Sequence, residues 1–151
     1  MNQLFVYLCG PIDGCADEQC VDWRRQAAEY FGRLCHPIRS LDPILDHGEL
    51  RKVPQLTERQ CLSIISTDLN MINKSAGVLA HFPVIDRVCA GSCMEIFHAA
   101  QKGKQVVVSW PHEAAVSVWI RGRASTVHTG AGSLQAAMND LAIRVRRGAV
   151  A

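Results

Sequence analysis

An α/β fold is predicted for this chain, with one parallel sheet and helices on both faces. Two observations predict it. β-forming apolar runs alternate along the sequence with segments of helical period. The 151 residues, 48% hydrophobic and 20% charged, suffice for a single domain over 1–151 with a sizeable core.

Residues 3–8 (QLFVYL) form the first apolar run, ended by Gly10 and Pro11, and are predicted as a strand. From Asp17 to Leu34, the residues Val21, Ala27, Ala28, Phe31 and Leu34 recur near a helical period, with acids early and Arg33 late. The region 35–56 holds three prolines and no clear period, so it reads as a long loop over a site, with one short strand around His36 to Leu41. Thr57 opens T-E-R-Q, a capping box in which Gln60 reaches back to the N-cap, and a helix is expected from there to about Lys74. A strand at 76–82, a helix at 92–102, a strand at 105–110, a helix near 113–121 and a last helix from Ser133 to about Arg147 complete the pass. This alternation points to a flavodoxin-like or Rossmann-like sheet.

Composition excludes several function classes. A net charge of +2, with scattered basic residues, does not announce a nucleic-acid surface, and the RVRR run suits a helix C-terminus. Seven cysteines, an odd number behind no signal peptide, point to a reducing cytoplasm. The pairs Cys15/Cys20 and Cys89/Cys93/His98 do not reproduce a zinc pattern, so no metal is expected. No run reaches the ~20 apolar residues of a membrane span. G-x-G-x-x-G and P-loop motifs are absent, which removes support for nicotinamide, flavin and ATP, and no cofactor is expected.

Three features carry chemistry. Asp68 takes the position that i, i+3, i+4 spacing gives to the buried face of the helix carrying Cys61, Ile64, Ile65 and Ile72. A carboxylate there needs hydrogen-bond partners or a cavity. Glu95, in the segment opened by Gly91, is placed in a helix's first turn at a sheet rim, where open α/β proteins build sites. S-x-x-E from Ser92 to Glu95 equally reads as a capping box. The loop Gly10, Pro11, Ile12, Asp13, Gly14 after the first strand lets a sugar or phosphate approach the backbone.

In order, Y-L-x-G-P-I, an aspartate in the helix before A-G-V-L-A, and G-x-x-M-E resemble the nucleoside 2-deoxyribosyltransferase family over residues 4 to about 123. CGPIDG and SVWIRG (117–122) are similar to segments of its 2'-deoxynucleoside 5'-phosphate N-hydrolase branch. The resemblance implies Glu95 as nucleophile, Asp68 as the acid serving the leaving base, and Tyr7 as the phenol that orients Glu95. It also implies Ser117 on the substrate's 5'-phosphate, from the same or a neighbouring subunit. Asp13 stands where that branch tends to carry arginine. Cys89 stands where transferases carry aspartate and the hydrolases a phosphate-contacting serine, and the aromatic C-terminal residue of classical transferases is missing.

Cleavage of an N-glycosidic bond passes through an oxocarbenium-like state, which one carboxylate traps while a second acid assists the base. Glu95 is expected to stay ionised at a helix N-terminus, and Asp68 to hold a proton on its apolar stripe. The expected substrate is a 2'-deoxyribonucleoside or its 5'-monophosphate, with water or a second base as acceptor; a non-catalytic nucleotide sensor is the competing class. The family resemblance, with Trp110 and Trp119 close together, implies a homo-oligomer.

Overall fold

A computed structural model describes residues 3–12, 14–48, 50, 53–84 and 90–150. Five strands, β1 (Leu4–Cys9), β2 (Ile38–Leu41), β3 (Gly77–His81), β4 (Gln105–Trp110) and β5 (Thr126–Thr129), form one sheet in the order β2-β1-β3-β4-β5. Every neighbouring pair is parallel, with Leu8 opposite Leu79 and Leu79 opposite Val107 at the centre. This is the flavodoxin-like order, and the chain reverses direction across the sheet between β1 and β3.

The helices are α1 (Asp17–Cys20), α2 (Asp22–Gly32), α3 (Pro43–His47), α4 (Glu58–Lys74), α5 (Ala90–Gln101), α6 (Val118–Arg121) and α7 (Ser133–Val150). They divide between the two faces, as expected. On one side Trp23, Ala27 and Phe31 of α2 pack with Met138, Leu141 and Val145 of α7 against Val6, Leu8, Leu79 and Val107. On the other, Met71 and Ile72 of α4 and Ile96 and Ala99 of α5 cover Tyr7, Val78, Ala80 and Val106. Side chains alternate along each strand, so Tyr7 and Cys9 fall on the α4/α5 side.

Local chemistry sets the boundaries. The Thr57 capping box forms as read, with Gln60 Oε1 accepting from the Thr57 amide at 2.9 Å and Thr57 Oγ1 accepting from the Gln60 amide at 3.3 Å. Lys104 Nζ donates to the carbonyls of Asn73 and Ser75 at 2.9 and 2.7 Å, which satisfies the end of α4. Four expectations are corrected. The helix expected over 17–34 is divided at Val21, the helix near 113–121 is the short α6, and α5 opens at Ala90, two residues before Ser92. The long loop over 35–56 contains α3, capped by Asp42 with Pro43 behind it, and β5 was not expected at all.

Candidate active site

Strand β1 and the helices α3, α4 and α5 bring the acids and their partners together. Tyr7 is fully buried, and its hydroxyl donates to Glu95 Oε1 at 3.0 Å. Glu95 is the sixth residue of α5, on its second turn, which corrects the first-turn placement. Ser92 is the third residue of that helix and 4% exposed, and its carbonyl accepts the Cys9 thiol at 3.6 Å. Because the helix starts earlier, Ser92 is not its N-cap, and Glu95 turns its carboxylate inward instead of capping an amide.

Burial pushes the Glu95 carboxyl up to about 7, and the nearby Asp68 charge adds to the rise, against hydrogen bonds from Cys9 and Tyr7. Burial also raises Asp68, and its partner His47 pulls it back. The two carboxyls are therefore both raised, which corrects the expectation that Glu95 stays ionised at a helix N-terminus. Burial and the Glu95 charge drive the Tyr7 phenol far above its ordinary value, so it remains a hydrogen-bond donor.

Asp68 is 8% exposed on α4, and it has the partner its position demanded: His47 Nε2 lies 3.2 Å from its Oδ1. His47, the last residue of α3, was missed in the sequence. The signal was Asp42-Pro43, an N-cap followed by proline at the first helical position. That short helix carries His47 to the acid.

Asp68 and Glu95 open onto a cavity of about 670 Å3, shared with Gly91, Cys93 and Ser117 and walled by Ile64, Ile65, Met94, Phe97 and Trp119. Ser117 N-caps α6, its Oγ accepting from the Trp119 amide at 3.3 Å, and it meets the cavity from the same chain as the acids. Ile65, Met94, Val118 and Trp119 are 54%, 72%, 79% and 69% exposed around this groove. Half of the apolar stripe expected to be buried on α4 is thus open.

Gly10, Pro11, Ile12 and Gly14 lie past the end of β1 and off the lining of this cavity. A Cβ on Gly10 would stand 2.5 Å from the His81 carbonyl oxygen, so a side chain does not fit there. Gly14 takes a φ of +66°, which favours glycine. Asp13 and Cys89 lie outside the described residues.

A separate polar line crosses the sheet behind the site. His81 Nδ1 meets Ser109 Oγ at 2.9 Å, Ser109 Oγ meets Ser133 Oγ at 2.9 Å, and all three residues are buried. Trp23 sets its ring edge-on to His81, with centroids 5.1 Å apart. Among the described residues, no three His, Cys, Asp or Glu side chains gather as a metal site. No helix among them is long and apolar enough to cross a membrane.

The sequence profile of the family described as nucleoside 2-deoxyribosyltransferase like matches residues 3–113, well over half of the chain. No curated protein sequence matches. Among solved structures, a conserved protein from Enterococcus faecalis is similar with a TM-score of 0.67 at 14% identity, over 95% of this chain and 99% of that one. A 2-deoxyribosyltransferase from Bacillus psychrosaccharolyticus is similar at 0.61 and 15% identity, over 82% and 84%. A CMP N-glycosidase from Clostridium botulinum is similar at 0.52 and 13%, over 92% and 98%. These identities speak for a shared fold, and the family match goes further: the chain belongs to the nucleoside 2-deoxyribosyltransferase-like family, enzymes that act on N-glycosidic bonds.

Proposed function

We propose that this protein cleaves the N-glycosidic bond of 2'-deoxyribonucleoside 5'-monophosphates through a covalent glycosyl-Glu95 intermediate. The observation that carries the reading is the Tyr7 hydroxyl fixed 3.0 Å from Glu95 Oε1, on a cavity that Glu95 shares with Asp68. With the phenol fixing the carboxylate, a Glu95 oxygen attacks C1'. As that bond forms, the C1'–N bond breaks and its electrons pass to the base, which takes a proton from the Asp68–His47 pair. Water then attacks C1', the pair removes its proton, and Glu95 leaves as a carboxylate.

Burial favours the attack of Glu95 on C1' and slows its later departure. A carboxyl titrating at about 7 is a poorer leaving group than water-exposed glutamate but a stronger nucleophile, and half of it is ionised at neutral pH. Ser117 on the same cavity supports a 5'-phosphate contact through its hydroxyl. A second base in place of water would make the enzyme a transferase, and the apolar wall of Ile64, Phe97 and Trp119 favours stacking of such a base. The exposed Met94, Val118 and Trp119 beside the groove support a homo-oligomer that covers it, which light scattering tests against the 16.6 kDa monomer.

The test is incubation with deoxynucleosides and their 5'-monophosphates, with and without a free acceptor base, read by chromatography. Release of base and 2-deoxyribose 5-phosphate without acceptor is expected. Turnover only with an acceptor base would make the protein a transferase, and no product from any substrate would leave it a binding protein.

A further inference from the structure

Arg24 of α2 is 1% exposed, the largest of the fully buried side chains among the described residues. Withdrawing a guanidinium from water costs several kcal/mol, and an apolar side chain of similar volume is often as stable at such a place. What Arg24 does with its charge therefore calls for explanation. Its Nη1 donates to the Cys20 carbonyl at 2.6 Å and its Nη2 to the Gly10 carbonyl at 3.0 Å. Its Nε lies 3.3 Å from Asp42 Oδ1, close enough for an ion pair but without hydrogen-bond geometry. The guanidinium carbon sits 4.4 Å from the centre of the Trp23 ring, which holds the plane of the fork.

Two of these partners belong to segments that build the site. Gly10 follows directly on the strand end that carries Tyr7 and Cys9. Asp42 is the N-cap of α3, its Oδ1 also accepting from the Ile44 amide at 2.9 Å. A five-residue helix is far below the length at which helices hold themselves, so α3 depends on its anchorage. Its last residue is His47, the partner of Asp68. The path is continuous: Arg24 to Asp42, Asp42 to the first turn of α3, and α3 to the His47–Asp68 pair. The Arg24 charge also favours the ionised forms of both Asp68 and Glu95.

We infer that Arg24, with Asp42, is a positioning residue that ties the loop after β1 to the proton-supplying His47–Asp68 pair, so that nucleophile and acid are held in one frame. This rests on the proposed reaction for its consequence, though not for its geometry. Arg24→Lys keeps the charge and loses the planar fork, and Asp42→Asn keeps an acceptor for Ile44 and loses the ion pair. Both are expected to lower kcat for a deoxynucleotide with an ordinary base by about tenfold or more, since misplacement of 1 Å can cost about 100-fold. KM should change little, and a nitrophenyl deoxyriboside phosphate, which leaves without a proton, should lose much less. In a His47→Ala background, Asp42→Asn should add almost nothing.

Equal losses on both substrates, or full additivity with His47→Ala, would overturn the inference. Hydrogen exchange separates it from the reaction itself. In either variant, exchange should rise in 44–47 and stay unchanged in 58–74, and in Arg24→Lys it should rise at Gly10 and Ile12 as well, whether or not the wild type releases base. Unaltered exchange at 44–47 overturns the tether; a wild type that releases no base overturns only the reaction. Should Arg24→Lys fail to fold, Asp42→Asn carries the test.

Discussion

Replacing Glu95 by glutamine should abolish base release and, at alkaline pH, make the protein more stable. The folded carboxyl titrates at about 7 against the usual 4.5, so ionising it in the fold is disfavoured. That gap, at about 1.4 kcal/mol per pH unit, comes to about 3 kcal/mol. Because the folded value is raised, its contribution is fully present below 4.5 and is lost as pH climbs through about 7. Glutamine keeps an acceptor for Tyr7 and never ionises. At pH 8 the variant should exceed the wild type by up to about 3 kcal/mol, or about 6–12 °C in melting temperature for a domain of this size. At pH 4 the two should melt together. Thermal melts at both pH values beside a chromatographic rate measurement decide it. A variant less stable than wild type by about 1 kcal/mol at both, with turnover kept, is what a lost helix cap would give, and Glu95 would then be no nucleophile.

Asp68→Asn should lose turnover steeply on ordinary bases and less on a nitrophenyl deoxyriboside; equal losses would show that Asp68 only positions the sugar. Tyr7→Phe removes a donor that favours the Glu95 carboxylate, so the acid limb of the rate profile should move above about 7. A limb left in place would mean that the phenol does not act on Glu95. Ser117→Ala should shrink the preference for a 5'-monophosphate over the nucleoside by about tenfold, measured as kcat/KM, as for one charge-assisted hydrogen bond. A wild type that turns over the free nucleoside faster would remove the phosphate from the reading.

The parts of the fold that were legible in the sequence are those fixed by long periodic signals. α4 announced itself through Thr57 and Gln60, and Asp68 through its place on the buried stripe. β5 escaped because TVHT is four residues with half-buried, mixed side chains, and its strand character comes from pairing with β4. Glu95 drew notice through a turn that starts two residues earlier than expected, and burial raises the carboxyl that was expected to stay ionised there. Helix position is a local property, but the carboxyl responds to what β1 and α4 pack around it. His47 was invisible for the same reason, since its importance lies in meeting a residue 21 positions away.

The line from His81 to Ser133 bears on how the molecule tolerates acid. Burial, reinforced by Arg24 and His112, holds the His81 imidazole down at about 4 against 6.5. A lowered folded value gives stability above 6.5 that drains away as pH falls toward 4, about 3 kcal/mol in all. Glu95 runs the other way over nearly the same interval. A neutral imidazole in the scaffold and a reluctant carboxylate in the site thus oppose one another between about pH 4.5 and 6.5, and the raised Asp68 carboxyl leans to the side of Glu95. The wild-type profile would blend these opposed slopes, and the one due to His81 should steepen when Glu95 is replaced by glutamine.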